Sequence, residues 1–496
     1  MSQPTLPYRI VVGLEVHVQL LTRTKLFCGC STRFGLPPNS ATCPVCIGLP
    51  GVLPVLNRRA YELALRAALA LDCTIARFTK WDRKNYYYPD LPKNYQISQY
   101  DLPLGRDGWL EIATEQGVKR IGIIRVHLEE DAGKLLHDEQ GTGNDSLVDL
   151  NRAGTPLLEI VSKPELSSPE EARTYLEEMR LLMRELGISD CEMQEGSLRC
   201  DANVNIHIPQ PQGQHVATPI VEIKNLNSFR FLERAIRYEA QRQYEQWRQD
   251  ANYLMGKVSK ATAGWNDNYQ KTGRTEFQRR KEEAADYRYF PEPDLVPVIV
   301  DDAWLAKITA EVGEKPAAMR RRLAEQYGLG DYDINVLIGL GRATVAYFEQ
   351  VSAVSGDAKA ACNWITNQVQ ATLKETGGDI STFALSADRL GELIAKQKEM
   401  GLPRQTAVSV YERMLAEGCS ASQALDALGV KMADESAVLD IVRRAIAANP
   451  RAVADYKKGK AAAANAIKGA IMRETRGSVR PDVVEALLKA ELDRVE

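Results

Sequence analysis

No apolar run of about 18 residues occurs in the chain, so no membrane-spanning helix is expected. Residues 1–9 lack the basic start and apolar core of a signal peptide. There is no internal repeat, and no low-complexity tract beyond residues 461–464. There is no excess of basic charge either. The 496 residues carry a net charge of −3 with pI near 6.1, so any nucleic-acid contact must come from local patches. A P-loop is missing, because no glycine stands five residues before Gly133-Lys134. Lys257-Val258-Ser259-Lys260 resembles a synthetase KMSKS loop, but no HIGH motif accompanies it and it is set aside. The nine cysteines are an odd number with four clustered, which points to a reducing compartment and metal binding rather than disulfides. Length suggests two to four domains. A hydrophobic share of 44% is enough for more than one core.

What is present is a series of alternating strands. Leu14-Glu15-Val16-His17-Val18-Gln19-Leu20 puts four apolar side chains on one face and Glu15, His17 and Gln19 on the other, because strand side chains alternate with period 2. A carboxylate and an imidazole two residues apart can address one cation or one phosphate. Taken alone, the segment reads as a half-exposed strand with ordinary polar residues, and the similar strands that follow are what shift the reading toward a site. Residues 121–130 form a second strand, with Arg125, His127 and Glu129 on its polar phase. Glu130 shares the phase of Leu128, so it reaches a polar site only at or beyond the strand end. The run Glu129-Glu130-Asp131-Ala132-Gly133-Lys134 can hold magnesium with its acids and a phosphate with its lysine, or be a solvated acidic turn. Glu159 sits inside Leu157-Leu158-Glu159-Ile160-Val161, where a lone carboxylate is expensive unless paired, hydrogen-bonded or on a metal. Residues 198–208 alternate most cleanly. Arg199, Asp201, Asn203, Asn205 and His207 form one face, which suits a floor for metal and nucleotide better than a solvated surface.

Cys28-Gly29-Cys30 and Cys43-Pro44-Val45-Cys46 are spaced to deliver four thiolates to a tetrahedral structural zinc ion, with no position left for substrate. Cys73, Cys191, Cys200, Cys362 and Cys419 are isolated packing residues. Residues 57–71 read as a helix, as do residues 169–186 behind the N-cap Ser168 with Gly187 as the stop. Residues 81–96 mix aromatics with Arg, Lys and Asn. That composition suits stacking on a nucleobase, or a loop whose tyrosines cover the core. A composition change near residues 272–295 places a domain boundary there, and a second falls near Gly401-Leu402-Pro403. From about residue 301 nearly everything reads as helix. Residues 451–496 hold ten Lys/Arg against seven Asp/Glu, a local +3, and the turn at residues 456–460 can dock on phosphates or be a solvated basic turn.

Taken in order, these motifs resemble the B subunits of bacterial tRNA-dependent amidotransferases, the GatB family. The resemblance is carried by Gly13-Leu14-Glu15-Val16-His17-Val18-Gln19-Leu20, the cysteine quartet ending Gly48-Leu49-Pro50-Gly51, and Lys84-Asn85-Tyr86-Tyr87-Tyr88-Pro89-Asp90-Leu91-Pro92-Lys93. It continues through His127-Leu128-Glu129-Glu130-Asp131-Ala132-Gly133-Lys134, Asp149-Leu150-Asn151-Arg152-Ala153-Gly154-Thr155-Pro156, Gly196-Ser197-Leu198-Arg199-Cys200-Asp201-Ala202-Asn203 and residues 286–295.

The resemblance implies an α+β fold. A mainly antiparallel β-sheet cradle domain with a zinc knuckle (1–296) would precede two all-helical domains, 297–402 and a tRNA-binding tail at 403–496. It implies a cytoplasmic heterotrimer with a glutaminase A subunit and a small C subunit. The chemistry would be ATP-dependent phosphorylation of the side-chain carboxylate of Glu-tRNA(Gln) or Asp-tRNA(Asn), then displacement of phosphate by channelled ammonia. By matching position it implies Glu15, His17, Glu130, Glu159 and Asp201 as magnesium ligands. It implies Glu129, Lys134, Arg199 and Asn203 as contacts to ATP or the acyl phosphate. No Cys-His or Ser-Lys constellation suits a glutaminase, and magnesium-type ligands abound, as phosphoryl transfer requires. Two other readings are an ATP-dependent ligase on a free small acid and a non-catalytic, zinc-containing RNA-binding scaffold.

Overall fold

The alternation at the N-terminus folds as strand β1 (Arg9–Gln19), with Val12, Leu14, Val16 and Val18 fully buried. The structure is a computed structural model that describes residues 6–137, 146–269, 272–430, 435–457, 460–474 and 481–494. β1 lies inside a ten-stranded sheet with β2 (Thr74–Ile75), β3 (Gly105–Thr114), β4 (Gly117–Glu130), β5 (Pro156–Ser162), β6 (Leu198–Pro209), β7 (His215–Ala217), β8 (Val221–Lys224), β9 (Ala261–Asn266) and β10 (Arg274–Arg280). The order is β10-β9-β8-β6-β1-β5-β4-β3-β2, with β7 paired to β6. All pairings are antiparallel except β8 with β9.

One face of the sheet is apolar and covered by helices α1 (Arg58–Ala70), α2 (Pro169–Glu185) and α3 (Phe229–Gln249). Each begins where the sequence supplies a cap. Asn57 accepts from the Arg59 and Ala60 amides, Ser168 from Glu171, and Ser228 from Phe231. Such caps contribute about 1 kcal/mol each. Gly187 ends α2 with φ +61°, a conformation that favours glycine. The other face stays polar and carries the site.

Short strands flank the sheet. Asp82–Asn85 pairs with Tyr95–Ser98 and with Phe290–Pro291, and Val298–Ile299 pairs with Phe78–Thr79. Helix α4 (Asp302–Val312) then adds Ile308 and Val312 to the same core. The first compact unit accordingly extends to residue 317.

The second unit, residues 318–496, is helical in its described parts. Helices Arg342–Ser355 and Ala387–Met400 pack on each other, burying Phe348, Val351, Leu390 and Leu393. A separate cluster of Val438, Val442, Ile467, Ile471, Val484, Leu488 and Leu492 holds the last helices together. Of the basic tail, Lys458, Gly459, Arg476 and Arg480 lie outside the described residues. Among the described residues no helix is long and apolar enough to cross a membrane.

Candidate functional site

Register builds the site. β1 lies between β6 and β5, and β4 follows β5. Arg199, His17, Glu159 and His127 therefore stand directly opposite one another across four strands. Neighbouring strands are about 4.8 Å apart, so four side chains from remote segments form one row. One step along, Gln19 faces Leu157 and Leu157 faces Glu129. One ligand atom each from His17, Glu129 and Glu159 lies within 4.8 Å of the others. His17 Nε2 is 3.6 Å from Glu159, and His127 Nε2 is 3.4 Å from it. The lone carboxylate inside the apolar run is therefore paired.

Burial of these groups opposes every charge on them, and the partners prevail. Burial alone would lower the pKa of His127, yet Glu159 and Glu129 push it up to about 9. His17 moves the same way, with Glu159 the larger cause after burial. Glu159 is held well below the usual carboxylate range by His127 and His17 against its own desolvation. Lys84, on Asp82–Asn85, is raised against its burial by Glu129 and Glu159. Its ammonium lies 4.9 Å from the Tyr287 ring centre. Two features fit a bound cation. The carboxylate–imidazole donor set suits a divalent metal, although imidazole is softer than magnesium usually prefers. Glu129 Oε2 is buried and accepts no hydrogen bond among the described residues.

Beside this cluster lies a second group, from β1, β6, β8 and β9. Glu15 faces Asp201 in register, and Asn203 faces Glu222, which faces Thr262. Lys281 reaches Asn203 at 2.5 Å, Glu222 at 3.2 Å and Glu15 at 3.4 Å. Lys224 donates to Asp201 at 2.5 Å, and Asn203 donates to Glu15 at 2.8 Å. Glu15, Asp201 and Asn203 are thus together, held by two lysines rather than turned onto His17.

The structure does not bring Glu130 to either group. It ends β4 on the phase of Leu128, so its carboxylate faces away from Glu129. There it ion-pairs with Lys93 and accepts from the Ile97 amide at 2.9 Å. Glu129 stands in the place where position matching puts Glu130. Lys134 is exposed on the strand Lys134–His137 opposite Asp149 and engages neither group among the described residues. Gly133 before it is forced by space, since a Cβ would fall 2.9 Å from the Asp149 carbonyl oxygen. Arg199 turns to Asp131 at 2.8 Å, and Gln19 donates to the same carboxylate at 2.7 Å.

The aromatic segment divides in two. Trp81 is core, while Tyr87 and Tyr88 are exposed. Tyr289 stacks on Tyr100 at 4.1 Å. Sequence reasoning leaves Lys84, His127, Glu222, Lys224 and Lys281 out of the site. His127 is findable from its phase on the strand. Lys84 lies in the aromatic and basic segment at residues 81–96, whereas Lys224 and Lys281 have no local signal.

The four cysteines converge as their spacing suggests, with all four Sγ atoms within 4.8 Å of one another. Cys46 is pulled down to about 4, first by the Cys28 thiol that donates to it and further by Lys25, whose ammonium lies 3.5 Å away. Burial pushes Cys30 up to about 11. Four sulfur donors, one already a thiolate, fit a soft tetrahedral metal. The remaining cysteines stand alone, four of them buried and Cys419 half-buried.

Comparison with known proteins follows the same division of the chain. Residues 10–306 match the GatB/GatE catalytic domain, and residues 346–492 match the GatB domain. A protein of Rhodopirellula baltica is 49% identical over 484 residues, covering 97% of this chain and 96% of the relative. One of Carboxydothermus hydrogenoformans is 47% identical, covering 98% and 99%. One of Moorella thermoacetica is 47% identical, covering 98% and 100%. All three are named as the B subunit of an aspartyl/glutamyl-tRNA(Asn/Gln) amidotransferase.

Proposed function

This chain belongs to the GatB family, and from that premise we propose that it is the subunit of a glutamine-dependent amidotransferase that activates a tRNA-borne carboxylate. The reaction we infer transfers the γ-phosphoryl group of ATP to the side-chain carboxylate of Glu-tRNA(Gln) or Asp-tRNA(Asn). Ammonia from a glutaminase A subunit then displaces phosphate, giving the amide. A small C subunit completes the assembly, and the cytoplasm is its place. The observation that carries this reading is the register of β6, β1, β5 and β4, which brings His17, Glu159 and Glu129 together on a rigid polar floor.

In this reading His17, Glu129 and Glu159 hold magnesium. When bound, the ion would neutralise phosphate charge and align the reacting oxygens. The other residues position and neutralise. Lys84 adds positive charge beside Glu129. Lys281 and Lys224 orient Glu15 and Asp201, which remain candidate ligands, and Asn203 fixes Glu15. Arg199, anchored on Asp131, faces the same floor as a candidate phosphate contact. The roles of Glu130 as ligand and Lys134 as phosphate contact rest on family likeness alone, and both side chains would have to turn. The cysteine quartet holds structural zinc. We propose that the helical remainder divides near residue 402, with the basic tail of 403–496 holding the tRNA body.

The test is ADP release by this chain with its A and C partners, using magnesium, ATP and one of Glu-tRNA(Gln), uncharged tRNA or free glutamate. ADP formed only with charged tRNA, and lost in Glu15→Ala, is the expected result. Equal turnover with free glutamate would replace the tRNA substrate with a small acid.

A further inference from the structure

Behind the sheet, on the face opposite the metal cluster, a cavity of about 470 Å³ opens between α3 and the strands β9 and β10 near the sheet edge. That size lies in the range of small-ligand pockets. Its inner wall is fixed. Glu239 is fully buried and accepts from Arg242 at 2.9 and 2.6 Å, from Gln243 at 2.8 Å and from Thr275 at 2.6 Å. Arg242 also donates to the Tyr253 hydroxyl at 3.1 Å, which leaves that hydroxyl's own proton to give. Glu239 and Arg242 cancel each other's charge. The floor is apolar, from Val221 and Ala263.

The mouth is different. Phe277 stands 70% exposed on β10, and Lys260 and Arg280 line the rim beside it. Neither cation is engaged by another side chain among the described residues. Lys260 belongs to the Lys257–Lys260 loop, which the metal cluster does not use. β10 bulges after Phe277, where the pairing of β9 with β10 slips by one residue. The slip puts Arg280 on the same side of the strand as Phe277.

An aromatic face, two uncompensated cations and a hydroxyl donor around a rigid apolar recess match one ligand chemistry. It is a flat ring that stacks, joined to a phosphate. A metal cation would be repelled by the rim. A purely apolar ligand would leave both cations without counter-charge. We propose that this cavity is a second nucleotide site, with the base against Phe277 and the phosphate between Lys260 and Arg280. It is separate from the phosphoryl-transfer site, because it lies on the other side of the sheet. The nucleotide can be free or an unpaired residue of an RNA strand.

The experiment uses the full-length chain and two probes, AMP by equilibrium dialysis and a labelled single-stranded hexauridylate by fluorescence anisotropy. Each is measured in the wild type, Phe277→Ala, Arg280→Glu and His17→Ala. At least one probe should bind, with Kd raised about tenfold or more in both cavity variants and unchanged in His17→Ala. Binding of AMP alone identifies a free nucleotide, and binding of the hexamer alone identifies an RNA strand. Mass spectrometry should show Lys260 protected from acetylation when the binding probe is present. Both substituted side chains are exposed, so the variants should fold, and circular dichroism checks this. If neither probe binds, if binding ignores both cavity substitutions, or if it vanishes in His17→Ala, the second site does not exist.

Discussion

The first unit holds two candidate metal centres, built in opposite ways. The cysteine quartet is local: its four residues fall between positions 28 and 46. The His17–Glu129–Glu159 group takes one residue from each of three strands and exists only through their register. The sulfur set is closed, with four like donors and a lysine beside one thiolate. The oxygen–nitrogen set is open, with a carboxylate oxygen that accepts no hydrogen bond among the described residues and the Lys84 ammonium beside it. A closed site can stabilise a fold but cannot bind a reactant, whereas an open one can do chemistry. The contrast breaks if the two centres respond alike to substitution.

The largest effect should come from Glu159→Ala. Loss of a ligand shared by both histidines should cut charged-tRNA-dependent ADP formation by about 10³-fold or more. The circular dichroism spectrum should stay that of the wild type. Next in size, Cys43→Ser should lower stability by several kcal/mol, because a structural metal contributes directly to folding. Calorimetry should show a lower Tm. Turnover per folded molecule should stay within about threefold of wild type, since a closed site touches no reactant. A Cys43→Ser protein of normal Tm and lost turnover would reverse the two roles.

The same contrast explains what could be read from the sequence. Spacing alone located the cysteine quartet, because a knuckle is a local device. Alternation alone located β1, β4 and β6 and their polar faces, and β5 showed itself as an apolar run with one lone carboxylate. It did not say which polar residues meet, since pairing and register are tertiary facts. Glu129 and Glu130 show the consequence. They are adjacent in sequence but point to opposite faces, and only the register with Glu159 decides which joins His17. Lys224 and Lys281 were invisible for a related reason. Each is an ordinary strand-end lysine until β8 and β10 bring it beside Glu15 and Asp201.

A smaller effect should appear as a pH dependence of the open centre alone. His127 has a folded pKa of about 9 against an unfolded value near 6.5. A raised pKa means stability fully present below pH 6.5 and lost as pH rises through 9. The shift corresponds to about 3 kcal/mol as an upper bound. Tm measured in magnesium-free buffer should fall over this window. Replacing His127 with Gln should flatten the curve, whereas Cys43→Ser should lower it without changing its slope. A wild-type Tm flat from pH 6.5 to 9 would remove the charged His127–Glu159 pair from the account.

The smallest expected effect concerns the rim of the open centre. Lys281 touches Glu15, Asn203 and Glu222 at once and ties the far end of β10 to the polar face of β1. Its partners are acids and an amide of the chain itself, so its role is to hold them. A group that holds ligands in both the ground and transition states changes binding more than the chemical step. Lys281→Met keeps the stem and removes the charge. The KM for ATP should rise about tenfold, equivalent to about 1.4 kcal/mol, while kcat changes less than about threefold. A fall in kcat of about 100-fold with KM unchanged would mean that this lysine meets the transferred phosphoryl group. The open centre would then extend from His17 to Lys281 as one continuous reacting surface, rather than a metal cluster with a supporting rim.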